Sequence, residues 1–200
     1  MLTDTDAYLV ALLQGDQVAA DHHAAAVDTA QAADEARLGA LGALAGAAAW
    51  YAAQGIPVFP CRPGAKRPAT RHGLHDATCD PAQVAAWWAA TPAANIGVPT
   101  GVAWDVIDTD GPVGCAAFGL DDLHEAGLTL LGWASTPHGW HYLVPPTGGG
   151  NRAGILPGVD YRGTGGYVIV PPSRTLCTRT PGVDCFTDRD HVYRWVRPPA

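Results

Sequence analysis

The sequence predicts an α+β domain and not a doubly wound parallel sheet. After Ala94 the apolar, β-branched runs outnumber helical segments, and Gly/Pro turns separate them as in hairpins. No internal repeat is evident, and 200 residues at 48% hydrophobic content suffice for one domain with its own core.

Residues 1–38 are Ala-rich and polar with few large apolar side chains, so they read as a peripheral helical arm; residues 39–200 read as the folded domain. The pair His22-His23 in the arm has no partner ligand at a fixed spacing and reads as part of a solvated helix. Over 38–54, Leu41, Leu44, Ala48 and Tyr51 or Ala52 recur at helical spacing. Gly55 stops that helix, and Ile56-Pro57-Val58-Phe59-Pro60 follows as a short buried strand. Residues 61–79 form a Gly/Pro loop in which Lys66, Arg67 and Arg71 make the most basic stretch of the chain. Asp80 caps, and Pro81 opens, a short amphipathic helix whose Trp87 and Trp88 serve core or interface packing.

Asn95-Ile96-Gly97-Val98 and a turn precede residues 102–110, a β-rich run that ends in acid. A helix is expected over about 112–126, a strand near 128–134, a turn at Thr136-Pro137-His138-Gly139 and a strand over 141–144. A Gly/Pro loop then leads through Asp160-Tyr161-Arg162-Gly163 into a strand over 167–170, and 192–196 is the last strand.

A net charge of −7 and a pI of about 5.4 have the wrong sign for a protein that coats nucleic acid by bulk electrostatics, so any such contact has to be local. The five cysteines (Cys61, Cys79, Cys115, Cys177, Cys185) form no C-x-x-C pair, which argues against a disulfide scaffold and a zinc ribbon. Cys177, Cys185 and His191 lack an evident fourth ligand, so a loop insertion with idle thiols is expected and a structural zinc is not. The start, MLTDTDAYLV, lacks the basic region of a signal peptide, and no apolar run approaches the ~20 residues of a membrane span. A soluble, cytoplasmic protein without membrane contact is the expectation.

Side chains at i and i+2 of a strand share a face, which sets the carboxylates of Asp108 and Asp110 side by side at the end of an apolar element. Two anions that close repel unless a cation separates them, and hard oxygen donors suit Mg²⁺ or Mn²⁺. A D-x-D pair at a strand end is by itself more often a turn or a solvated cap than a metal site. Its company adds weight: His141 begins a strand after a glycine turn, and Asp160 precedes a glycine-rich turn and another strand. If these strands are neighbours, the acids and the histidine converge on one edge of a sheet. Arg162, two residues beyond Asp160, then shares its face and can pair bidentately with phosphate; Lys66 and Arg67 can touch template or triphosphate, or be solvated.

From about Leu41 to Val196 the chain resembles the bifunctional DNA primase/polymerase N-terminal domain of the archaeo-eukaryotic primase superfamily. The likeness starts in an A-x-x-Y-x-x-x-G-x-x-V-F-P pattern from Ala48 to Pro60, Lys66 and Pro68, and Trp87-Trp88 before Pro92-Ala93-Ala94-Asn95-Ile96-Gly97. Three motifs follow in order: Val106-Ile107-Asp108-Thr109-Asp110, Thr136-Pro137-His138-Gly139-Trp140-His141, and Gly158-Val159-Asp160-Tyr161-Arg162-Gly163 with Val170-Pro171-Pro172-Ser173. The resemblance implies an RRM-like catalytic sheet, antiparallel or mixed, with flanking helices. It makes Asp108, Asp110 and Asp160 catalytic ligands of two Mg²⁺ or Mn²⁺ ions, and His141, with Arg162 and Lys66, a nucleotide contact. It further implies primer and DNA synthesis from nucleoside triphosphates on a single-stranded DNA template and primer, in a plasmid or phage replication system.

Two departures stand out. Family members usually continue into a helicase domain, which these 200 residues do not contain, and 176–191 is longer than the usual link to the last strand. Two rival readings stay open: a metal-dependent nuclease or phosphohydrolase, since the same carboxylates can deliver water, and a non-catalytic replication-initiation module that binds DNA.

Overall fold

The computed structural model describes residues 43–176 and 191–199; the arm over 1–38, with its histidine pair, lies outside them, as do Cys177 and Cys185. Helix α1 (Ala43–Ala53) ends where Gly55 takes a left-handed φ of 77°, as expected. The next strand, β1 (Phe59–Cys61), starts later than expected, Val58 making only an isolated bridge to Thr78. The basic loop contains a short 3₁₀ turn, Gly73–Asp76. In α2 (Pro81–Ala90) the Asp80 carboxylate accepts from the Ala82 amide at 3.0 Å, the cap that the Asp-Pro step predicts.

Then come β2 (Asn95–Pro99), buried throughout, and β3 (Asp105–Asp110), shorter than the expected run. The single helix expected over 112–126 is two, α3 (Gly111–Ala117) and α4 (Leu120–Glu125), because Phe118 and Gly119 are extended and interrupt the helical ladder. The rest is β4 (Gly132–Ser135), β5 (Gly139–Val144), β6 (Arg152–Leu156), β7 (Val159–Arg162), β8 (Tyr167–Ile169) and β9 (Arg194–Arg197).

Two antiparallel sheets result, ordered β1-β2-β8 and β6-β7-β3-β5-β4-β9. The α+β class therefore holds. The stretch through Asp160-Tyr161-Arg162 is a strand, where the sequence suggests a loop: β6 is exposed at every residue and carries no apolar period, and glycines flank β7 on both sides. The strand at Tyr167 stands in the small sheet, not beside the acids.

One face of the large sheet presents Val106, Leu143, Ala134 and Trp195 to Tyr51, Val84, Trp88, Ile96 and Val168 of the helices and the small sheet. Burying a large side chain of this kind contributes roughly 1.5–3 kcal/mol, and together they fasten the small sheet onto the large one. Trp88 is buried and its indole donates to the Ala94 carbonyl, while Trp87 packs at the core margin, so the pair serves the core. Trp195 donates to the Tyr51 hydroxyl, which donates to the Pro171 carbonyl, giving the buried polar atoms partners. The opposite face packs Ile107, Tyr142 and Val159 against Leu123 of α4. Among the described residues no helix is long and apolar enough to cross a membrane.

Candidate active site

On β3, Val106 belongs to the core and Asp108, two residues on, stands where that cover ends. Strand register decides its neighbours: Asp108 lies opposite His141 of β5 on one side and Asp160 of β7 on the other. Directly opposed residues of antiparallel strands share a face, so two acids and the histidine form one row across the middle of the sheet. They meet on its face and not at an edge, because β7 pairs directly with β3. Asp110 follows on the same face, at the mouth of α3. Gly139, opposite Asp110, is where the hairpin closes on β3: a Cβ there would lie 1.7 Å from the Thr109 carbonyl oxygen, so any side chain would push β5 off the acids.

His141 Nε2 lies 3.4 Å from Asp108 Oδ1, and the Arg162 guanidinium spans both acids, 3.4 Å from Asp108 Oδ2 and 2.5 Å from Asp160 Oδ2. The other Asp160 oxygen accepts from the Gly154 amide at 2.7 Å. Burial pushes the Asp108 carboxyl up, but His141, Lys66 and Arg162 outweigh it and hold the pKa below the ordinary aspartate value. Lys66 is exposed as a residue while its ammonium borders the cavity, where desolvation opposes the charge; Tyr193, Asp108 and Asp110 overcome this and hold its pKa above that of an ordinary lysine.

A cavity of about 250 Å³ lies between the sheets, with Asp108, His141 and Arg162 on the large-sheet side and Lys66 and Gly165 to Ile169 across from them; Asp110 and Asp160 do not line it. Asn95, buried on β2, sets the lysine's position: its amide nitrogen donates to the Ala65 carbonyl at 2.9 Å and the Arg174 carbonyl at 2.7 Å. Ser173 holds the same corner by accepting from the Ile96 amide. Arg67 and Arg71 are exposed and do not border the cavity.

Among the described residues no three His, Cys, Asp or Glu side chains are gathered into a ready metal site. Asp108 and Asp110 nonetheless supply hard oxygens side by side on one face, a donor set that fits Mg²⁺ or Mn²⁺ with waters and phosphate oxygens completing the shell. Asp160 is committed to Arg162 and Gly154.

Tyr193 and Asn151 also border the cavity, and sequence reasoning assigned them no role. Tyr193 sits on the last strand-like stretch, whose alternation was legible but whose face was not. His191, one of the residues weighed for zinc, has its ring centroid 6.4 Å from that of His138.

A row of acids and a histidine, facing cations across a cavity, is suited to an anionic substrate such as a phosphate ester. The chain belongs to the bifunctional DNA primase/polymerase family, whose N-terminal domain, Prim-Pol, matches residues 48–200. Membership carries primase/polymerase activity, and hence nucleotidyl transfer, at the level of the family. No curated protein matches the chain.

Proposed function

We propose that this chain is a template-directed nucleotidyltransferase, a DNA primase and/or DNA polymerase, in which the six-stranded sheet acts as an RRM-like catalytic sheet of the archaeo-eukaryotic primase type. The single observation that carries the reading is the register row of Asp108, His141 and Asp160 beside a cavity that Lys66 and Arg162 also line. Residues 39–200 are the catalytic unit, and 1–38 a peripheral arm.

Asp108, Asp110 and Asp160 are the residues to hold two Mg²⁺ or Mn²⁺ ions. Bound there, the ions would activate the primer hydroxyl and stabilise the departing pyrophosphate. Asp160 can join only when Arg162 gives up its 2.5 Å ion pair, and an incoming triphosphate offers the guanidinium another anion. His141 donates to a triphosphate oxygen while its ring is held against Asp108. Lys66, kept charged by its carboxylate neighbours, faces the same phosphates. Single-stranded DNA is the expected template, with a helicase, in the same polypeptide or separate, as its companion in a plasmid or phage replication system.

The test is incubation of the full chain with labelled single-stranded template and primer, each nucleotide type, and Mg²⁺ or Mn²⁺. Chain extension, stopped by a chelator, is expected. Loss of substrate ends without extension would point to the nuclease, and binding without either reaction to the non-catalytic module.

A further inference from the structure

At the wall of the cavity stands a buried hydroxyl that has donors beside it and no acceptor for its own proton. Tyr193 is 1% exposed, and its hydroxyl makes no hydrogen bond of full geometry; Lys66 and Thr175 beside it act as donors toward the oxygen, which leaves the hydroxyl proton without an acceptor. A buried donor left without an acceptor costs about 1–3 kcal/mol, so the hydroxyl proton is a liability in the ligand-free protein. The rest of Tyr193 is well held: its amide donates to the Ser173 carbonyl at 2.8 Å, and its ring lies 5.7 Å from the ring of His141. The residue borders the same cavity as Lys66, Asp108, His141 and Arg162. Its ring therefore stands beside the histidine and its hydroxyl beside the lysine, on a cavity where phosphate oxygens would be gathered.

We infer that Tyr193 is a substrate-binding residue whose hydroxyl donates a hydrogen bond to a phosphate oxygen of the bound nucleoside triphosphate. The inference rests on the proposed reading of the site as a nucleotide pocket. The acceptor missing inside the protein is then the ligand, and packing beside His141 holds the ring at the cavity wall. A hydroxyl donor to an anionic oxygen also explains why a tyrosine, and not a more apolar ring, closes this wall.

Tyr193→Phe keeps the ring and removes the donor. Equilibrium binding of dATP and of inorganic tripolyphosphate, with Mg²⁺, is measured for both proteins, together with their ligand-free Tm. Loss of a hydrogen bond to a charged group should weaken both ligands by roughly 10- to 100-fold. The ligand-free Tm should be unchanged or higher, an outcome that a purely structural hydroxyl would not produce. Equal affinity of variant and parent for both ligands overturns the inference alone. So does weakened dATP with unchanged tripolyphosphate, which would move the contact to the sugar or base, and so does a clear fall in ligand-free Tm. If the parent protein binds neither ligand, the nucleotide reading of the site falls with it.

Discussion

Two aspartates of β3, three residues apart, live in opposite surroundings. Asp105 is fully buried on the face that packs toward α4, where Oδ2 accepts from the Thr147 amide at 2.7 Å, the Thr147 hydroxyl at 3.1 Å and, in a short contact, the Tyr161 hydroxyl. Asp108 opens to the cavity and is held by His141, Arg162 and the field of Lys66. Neutral donors in a closed place converge on one oxygen of the first carboxylate, while Oδ1 is buried without a partner, and the Tyr161 hydroxyl makes it a tie between β3 and β7. Charged donors beside an open cavity leave the second able to trade partners. The same residue type thus fastens the sheet on one face and borders the cavity on the other, and strand alternation alone sets the two apart.

The largest effect should come from Asp108→Asn, which keeps the side-chain volume and removes the charge. Nucleotide incorporation is expected to fall by more than about 100-fold, beyond the range seen when only outer partners of a metal ligand are lost. Its circular dichroism should stay that of the parent. A variant that extends primers at the parental rate would erase the contrast between the two aspartates.

Next in size is the opposite face. Tyr161→Phe takes a donor from Asp105 and should cost about 1–3 kcal/mol in urea unfolding. Because Tyr161 lies on β7 between Asp160 and Arg162, nucleotide affinity should weaken less than stability does. An activity loss as deep as that of Asp108→Asn, at unchanged stability, would show that the tie is part of the chemistry.

The smallest effect concerns pH. The depressed pKa of Asp108 means that the folded state favours its carboxylate, so this contribution to stability is present above the unfolded value, about 3.9. It is lost as pH falls through the lower folded value. The stability gap between parent and Asp108→Asn should therefore narrow on acidification below about pH 4, as read by urea unfolding. A gap that widens there would reverse the assigned sign.

The parts of the fold that were legible in sequence are those with local physics behind them. Asp80-Pro81 started its helix, Gly55 ended another, and the apolar run before Asp108 placed the acids at a strand end. The pairing that builds the site was not legible. It depends on β7, which is four residues long between glycines, and on β6, whose exposed residues give no periodicity. The acids and the histidine could be named as candidates; that they share one row required the register. Tyr193 was hidden for a similar reason, since a tyrosine in a strand pattern reads as core and only the orphaned hydroxyl distinguishes it.

The amide of Asn95 joins stretches of chain 30 residues behind it and 79 ahead. Length changes in the basic loop beyond that clasp, or in the long segment before the last strand, are thereby uncoupled from the reach of Lys66.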